Sequence, residues 1–300
     1  MLRFPTVLLL CVIPLAACVS QPSRVDQEAE QRAANDPQAL ARIAEAAVQA
    51  GDVQSATAFL GRAARLAPAD AQLQIRYART LAEAGQLDEA LRVLRQAQSR
   101  APDDAAVSMV LGRHLVSMHK ADVAAGVFRR GLAAHPSDTA LLVALGVALD
   151  LGRDQQGAQA AYRSALAIKP DLVAARNDIA LSLALSGRTA EAIQQLSDLR
   201  ADLVGRGAEP NQVATVDGNL ALAYGMAGNV QRAMKTEGTA LKPADAAQNA
   251  RIYSALAGSP LLGVSAGAPG SGAKDVSGLT APAGVRPSKP ADVGIAPSPD

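Results

Sequence analysis

The sequence predicts an all-α solenoid in which antiparallel helix pairs stack side by side. Two residue types recur with a spacing of 34: Pro68, Pro102, Pro136 and Pro170, and Ala56, Ala90, Ala124, Ala158 and Ala192. A fixed period of this length indicates one supersecondary unit repeated along the chain. The composition agrees, since 49% of the residues are hydrophobic, only 2% are aromatic and tryptophan is absent. Such a chain favours helices with closely spaced axes.

Each repeat has the same internal pattern. In the first, Leu40 and Ala44 share a helical face, and Gly51 ends the helix where positive φ is favoured. Ala56 then marks the crossing with the second helix, and Pro68 ends that helix. Five units follow this pattern. Seven extra residues then enter between Gly187 and Gly228, and we expect them around residues 204–212, as a longer helix with a loop or as a loop alone.

A sixth unit resumes at Leu220, and residues 243–257 have one more amphipathic pattern, which predicts a C-terminal capping helix. The repeat domain is therefore assigned to residues 36–257. Residues 258–300 are rich in Gly, Pro, Ala and Ser, and we expect them to be disordered because they have too little apolar area to bury.

The amino-terminal segment indicates a lipoprotein. An apolar run from Phe4 to Ala17 follows Arg3 and is too short to span a bilayer. It ends in Leu15-Ala16-Ala17-Cys18, which resembles the bacterial lipobox. The resemblance implies a signal peptide at residues 1–17, lipid attachment at Cys18 and a tether over residues 18–35. Val19, in place of an aspartate, implies sorting to the outer membrane with a periplasmic-facing protein. An ordinary secretory signal is the alternative.

Nothing in the chain predicts catalysis, a cofactor or a metal site. "GVSAG" at 263–267 and "GAPGSGAK" at 267–274 imitate a hydrolase elbow and a phosphate loop, but no strand–turn–helix context surrounds them. His114, His119 and His135 have no ligand-spaced partners and are expected to be solvated or loosely packed. A net charge of +1 gives no reason to expect nucleic acid. We therefore predict a non-enzymatic chain without a small-molecule substrate.

The period and its glycine, alanine and proline positions resemble the tetratricopeptide repeat, which implies a right-handed superhelix with a concave groove. The groove positions of that family fall on mixed polar residues in the first two units. They become apolar in later units, where a partner site is expected. The candidate partner residues are Met109, Arg113, Val143, Val147, Leu151, Leu181, Leu185, Leu222 and Met226. The alternative is that some of them pack between helices.

The lipobox, about six repeats, the late insertion, and "GNLALAYGMAGNVQRAM" followed by "NARIYSAL" together resemble the TadD-type lipoprotein of Tad (Flp) pilus assembly. The resemblance covers residues 1 to about 257 and implies a protein partner, the pilus secretin or another assembly component. Only Tyr253 represents the tyrosine-rich ending associated with that family. The alternatives are a general envelope adaptor for cell-wall enzymes, or a pilotin-like chaperone of another secretin in type IV pili or type II secretion.

Overall fold

A computed structural model describes residues 35–237, 249 and 251–255. Residues 35–237 form twelve α-helices in six consecutive pairs, so the all-α class and the repeat architecture are confirmed. The chain divides into two compact units between Ala67 and Pro68. The predicted lipidation residue Cys18, the tether and the tail of residues 258–300 lie outside the described residues.

The first compact unit contains one helix pair, α1 (Pro37–Gln49) and α2 (Val53–Leu66). Asp36 caps α1 by accepting a hydrogen bond from the Gln38 amide at 2.9 Å, and Pro37 occupies the first turn, where no amide donor is needed. Asp52 caps α2 in the same way through Ser55. Both helices bury small side chains where they meet, so their axes approach closely.

The second compact unit contains five further pairs. Their bounds are α3 (Ala71–Glu83), α4 (Leu87–Arg100), α5 (Ala105–Ser117), α6 (Ala121–Ala134), α7 (Thr139–Leu151), α8 (Gln155–Ile168), α9 (Val173–Leu185), α10 (Thr189–Gly205), α11 (Pro210–Met226) and α12 (Val230–Glu237). A core of alanines, leucines and valines runs from α3 into α9, and a further cluster runs from α9 to α11.

Alanine stands at the helix crossing of five successive pairs, as the pattern predicts. Ala56, Ala90, Ala124, Ala158 and Ala192 all have 0% exposed surface. In two pairs an aromatic ring lies directly on a glycine of the first helix. A Cβ built on Gly112 would lie 2.2 Å from the Phe128 ring, and one on Gly146 would lie 2.4 Å from the Tyr162 ring. Glycine is therefore required at these two positions because an aromatic ring occupies the space of a Cβ atom, and not because the backbone has a positive φ.

The turn inside each pair requires a left-handed residue, and two pairs do not use glycine there. Gly51, Gly85, Gly187 and Gly228 have φ between 76° and 83°. The equivalent positions of α5 and α7 hold His119 (φ 57°) and Arg153 (φ 65°). The surrounding hydrogen bonds maintain the turn, since the Lys120 amide donates to the Leu115 carbonyl at 2.9 Å and Asp154 does the same to Leu149 at 2.8 Å.

The seven extra residues extend two helices instead of forming a loop. Helix α10 has 17 residues where α8 has 14, and α11 has 17 where α9 has 13, so three and four residues account for all seven. Gly207 (φ 65°) ends α10 and Pro210 begins α11. A loop alone is therefore the wrong interpretation of residues 204–212, and the lengthening involves both helices rather than one.

Part of the predicted capping segment is described and is helical. Residues 249 and 251–255 are helical, and Tyr253 is completely buried against the last pair. A Cβ built on Gly225 would lie 2.5 Å from the Tyr253 side chain. Tyr253 also clusters with Ala221 and Ala233. These contacts cover the open end of the last pair.

Candidate protein-binding groove

The predicted groove residues lie on the first helix of each pair, and the structure separates them into three groups. Leu151 and Leu185 are exposed, at 58% and 39% of their surface. Val143 and Met226 are buried, at 7% and 3%. The remaining five are partly exposed: Met109, Arg113, Val147, Leu181 and Leu222.

The exposed pair is the most accessible apolar feature of the predicted groove. Leu151 is the last residue of α7 and Leu185 the last residue of α9, so the two are one repeat apart. Val147 and Leu181 lie one helical turn earlier on the same helices and are partly exposed. Two successive pairs therefore present the same apolar positions, and these four side chains are here called the leucine patch.

Val143 and Met226 do not offer a free surface. Val143 packs within the core that spans α3 to α9, and Met226 packs within the cluster of α9 to α11. A repeat pattern assigns a residue to a helical face, but the packing of the following pair decides whether that face is covered. Fewer of the candidate partner residues are therefore accessible than the sequence predicts.

A carboxylate lies beside the leucine patch and connects three helices. Asp150 on α7 accepts a hydrogen bond from the Tyr162 hydroxyl on α8 at 3.1 Å and another from the Ser182 hydroxyl on α9 at 2.7 Å. Burial, with a smaller contribution from nearby Asp178 and Asp154, raises the pKa of Asp150 to about 6, although the two hydroxyl donors act to lower it. Burial also raises the pKa of the Tyr162 phenol, which therefore remains a donor.

A series of buried side-chain hydrogen bonds joins the last two helix pairs. The Asn219 side-chain amide on α11 donates to the Asn177 carbonyl oxygen on α9 at 2.9 Å, and the Asn177 amide donates to Asp178 at 3.1 Å. All three side chains are at most 3% exposed. Neither these hydrogen-bonded amides nor Asp150 were among the residues predicted from the sequence. The sequence does contain a pattern that could have indicated them, because they are isolated or paired polar residues in otherwise apolar helices. Asp150 lies in "TALLVALGVALDL", and Asn177 and Asp178 begin "NDIALSLAL".

The histidines have structural roles, and one prediction about them is wrong. His114 is buried rather than solvated or loosely packed, and its Nε2 lies 2.6 Å from the Leu87 carbonyl oxygen of the preceding pair. His135 makes a similar contact with the Asp103 carbonyl at 2.7 Å. Within the described part of the chain, no three His, Cys, Asp or Glu side chains are grouped closely enough to hold a metal ion.

Comparison with known proteins agrees with this helix pairing. Two family models match the sequence, at residues 47–113 and 109–173, and both are described as tetratricopeptide repeat. The chain carries tetratricopeptide repeats. Such repeats are typically non-catalytic scaffolds that bind protein partners, and no catalytic family is indicated. No curated protein matches the sequence.

Solved structures show the same fold. A tetratricopeptide repeat protein from Parabacteroides merdae has 19% sequence identity and a TM-score of 0.63, with 74% of this chain and 86% of that chain covered. A crystal structure of MamA protein has 18% identity and a TM-score of 0.50, with 57% and 93% covered. In the described ranges, no helix is both long enough and apolar enough to cross a bilayer.

Proposed function

We propose that this chain is a non-enzymatic scaffold that binds a protein partner through the leucine patch and the adjacent groove residues Met109, Arg113 and Leu222. The observation that carries the proposal is the exposure of Leu151 and Leu185 at equivalent positions of two successive pairs. Large apolar side chains that line a concave surface together are typical of a partner site. An amphipathic helix or an apolar chain end fits a groove of this kind.

The proposed location is the periplasmic face of the outer membrane. The support is the lipobox-like Leu15-Ala16-Ala17-Cys18 and the following Val19. Acylation at Cys18 would hold the repeats at the membrane surface, because each buried CH₂ of an acyl chain contributes about 0.8 kcal/mol.

The proposed process is Tad (Flp) pilus assembly, with the secretin or another assembly component as partner. Its support is the wording of the last repeat and of the residues after it, "GNLALAYGMAGNVQRAM" and "NARIYSAL". In the structure the first stretch includes most of α11 and the start of α12, and Tyr253 of the second covers them.

The decisive experiment replaces both exposed leucines with glutamate. Leu151→Glu with Leu185→Glu should reduce recovery of the partner in a crosslinked pull-down from detergent-solubilised envelopes, because burying an unpaired carboxylate is strongly unfavourable. Ile168→Glu is the matched control, since Ile168 is 48% exposed at the end of a second helix. A doubly substituted protein with a normal melting temperature and full recovery of the partner would refute the leucine patch.

Identification of the recovered partner separates the remaining alternatives. A Tad secretin supports the pilus proposal, a cell-wall hydrolase supports a general adaptor, and another secretin supports a pilotin-like chaperone. Cys18→Ser tests the anchor independently. Cells grown with a fatty-acid probe should label the native chain and leave the variant unlabelled.

A further inference from the structure

An open cavity of about 710 Å³ lies where helices α9 and α11 begin. Val173, Ala174 and Asn177 line it from the first turns of α9, and Thr215 and Val216 from α11. Ala174 and Asn177 lie near the amino end of α9, the helix that carries Leu181 and Leu185 of the leucine patch. The cavity and the leucine patch are at opposite ends of this helix, since Leu185 is its last residue.

The inserted residues contribute three side chains to one side of the cavity wall. Leu203 lies in the extension of α10, and Asn211 and Gln212 lie in the extension of α11. Arg206 and Ala208, in the connection between these helices, also line the cavity. The shorter helices of the preceding pairs have no equivalent of these turns. The insertion therefore adds a concave surface to an otherwise regular stack.

The charged groups around the cavity leave an excess of positive charge. Asp202 is shared by two arginines, with Arg176 Nη1 at 2.6 Å and Arg206 Nη2 at 3.0 Å from the same carboxylate oxygen. The hydrogen bond from Arg176, with the nearby Arg206 charge, lowers the pKa of Asp202, so this group of three is ionised and carries one net positive charge. Of these three residues only Arg206 lines the cavity, and the charges of the other two charged lining residues, Lys169 and Asp171, balance each other.

The amino end of α9 adds to this positive potential. The first helices α3, α5 and α7 are each preceded by an N-cap aspartate whose side chain accepts a hydrogen bond from a backbone amide of the first turn. The N-cap residue of α9 is Leu172, and no side chain caps this helix. The partial positive charge of a helix amino end attracts carboxylates within the first turn. Glu209 precedes α11 nearby but does not line the cavity.

The uncharged part of the wall includes the polar residues Asn177, Asn211, Gln212 and Thr215, and also apolar side chains of moderate size. The apolar side chains include Leu172, Val173, Leu203, Ala208 and Val216. A ligand that fits must therefore present a carboxylate toward Lys169 and Arg206, and an apolar side chain toward the leucine and valines. A peptide with an acidic residue next to an aliphatic residue presents both kinds of group.

We propose that this cavity binds a segment of the protein partner in which Asp or Glu lies next to an aliphatic side chain. The inference rests on the proposed function, because it adds a second contact with the same partner. The leucine patch would hold the apolar part of the partner, and the cavity would fix its direction and register through charge.

The test begins with selection of short random peptides on the full chain by display. The most enriched peptide is then synthesised with a fluorescent label, and its Kd is measured by anisotropy. We expect enrichment of Asp or Glu beside Leu, Ile or Val. Lys169→Gln with Arg206→Gln should weaken binding about tenfold or more, with a reduced dependence on salt. Arg129→Gln, an exposed arginine of α6, is the matched control and should bind normally.

A second variant tests the cavity without changing its charge. Ala174 is partly exposed and lines the cavity, so Ala174→Phe should fill part of the space while α9 stays folded. Circular dichroism melts check this, and Kd should again rise about tenfold or more. A folded Ala174→Phe chain that binds the peptide normally would overturn the inference.

The outcomes distinguish the cavity from the leucine patch. If binding is lost only in the Leu151→Glu and Leu185→Glu protein, the proposed function stands and the cavity inference fails. If only the cavity variants lose binding, the inference stands and the leucine patch is refuted as a contact for that peptide. Enrichment of basic peptides, or of none, would overturn the inference.

Discussion

The pairs α5–α6 and α7–α8 have the same backbone plan but bury different chemistry. In the first, Phe128 lies on Gly112 and its surroundings are apolar. In the second, Tyr162 takes the same place on Gly146 and its hydroxyl reaches Asp150, which also binds Ser182 of the next pair. The Tyr162 hydroxyl thus joins a polar network in which Asp150 and Ser182 link this pair to the next. The difference shows that a regular repeat can carry a polar network without altering its helices.

The largest effect is expected where packing alone stabilises the pair. Phe128→Ala removes a completely buried ring from an apolar site and should reduce the free energy of unfolding by about 3–5 kcal/mol. The loss should be independent of pH, because no hydrogen bond ends on this side chain. Chemical denaturation followed by circular dichroism measures it. A loss below about 1 kcal/mol would show that the ring is not part of the cooperative core.

The second prediction concerns pH and belongs to the tyrosine-containing pair. Because the folded pKa of Asp150 is raised from 3.8 to about 6, the folded chain keeps a proton that the unfolded chain loses. Asp150 therefore contributes stability below about pH 4, and this contribution is lost as the pH rises through 6, by up to about 3 kcal/mol. Asp150→Asn should remove this part of the pH dependence, measured by denaturation between pH 4 and 7.

The control for this prediction is the apolar pair itself. The Phe128→Ala protein should retain the same pH-dependent component as the native chain, although its stability is lower throughout. An Asp150→Asn protein whose stability varies with pH as the native chain does would contradict the assignment of the titration to Asp150.

A third, smaller effect is expected at the last two pairs, where amides replace apolar contacts. Asn177→Ala would remove the acceptor of the Asn219 amide, whose own side chain is completely buried. An unsatisfied buried donor typically costs about 1–3 kcal/mol. The double variant Asn177→Leu with Asn219→Leu should recover part of the loss, because both polar groups are then absent. Thermal melts compare the native protein, the single variant and the double variant. Equal melting temperatures would exclude a stabilising role for the hydrogen bonds between these side chains.

The smallest predicted effect is an increase in the stability of the protein. His119→Gly and Arg153→Gly would place glycine at left-handed positions that glycine occupies in the other pairs. The relief of strain is about 1–2 kcal/mol, but the greater freedom of glycine in the unfolded chain offsets part of it, so a net gain of about 0.5–1 kcal/mol is expected. Arg153→Ala is the control and should give no gain. A decrease in melting temperature for both glycine variants would contradict the strain argument.

The period of 34 residues was sufficient to predict the helix pairs, because turns and crossings impose strict requirements on single positions. Residues 204–212 were harder, since two glycines and a proline are typical of a loop and also suit a helix end followed by a helix start. The partner groove stays a prediction, and the sequence did not indicate which of its residues are exposed. The exposure of Leu151 and the burial of Val143 depend on contacts with neighbouring helices, which a single repeat does not contain.

Within the second compact unit, every connection from one pair to the next has the same length. Residues 101–104, 135–138, 169–172 and 206–209 are each four residues long, even beside the two extended helices. A segment that runs between equivalent residues of two such connections can therefore be removed or duplicated without changing the length of the connections that remain. Excision of residues 103–136 would rejoin Pro102 to Ser137 and leave the α4-to-α7 connection at four residues. The second compact unit could thus be shortened or lengthened by whole modules, which would change its length in fixed steps.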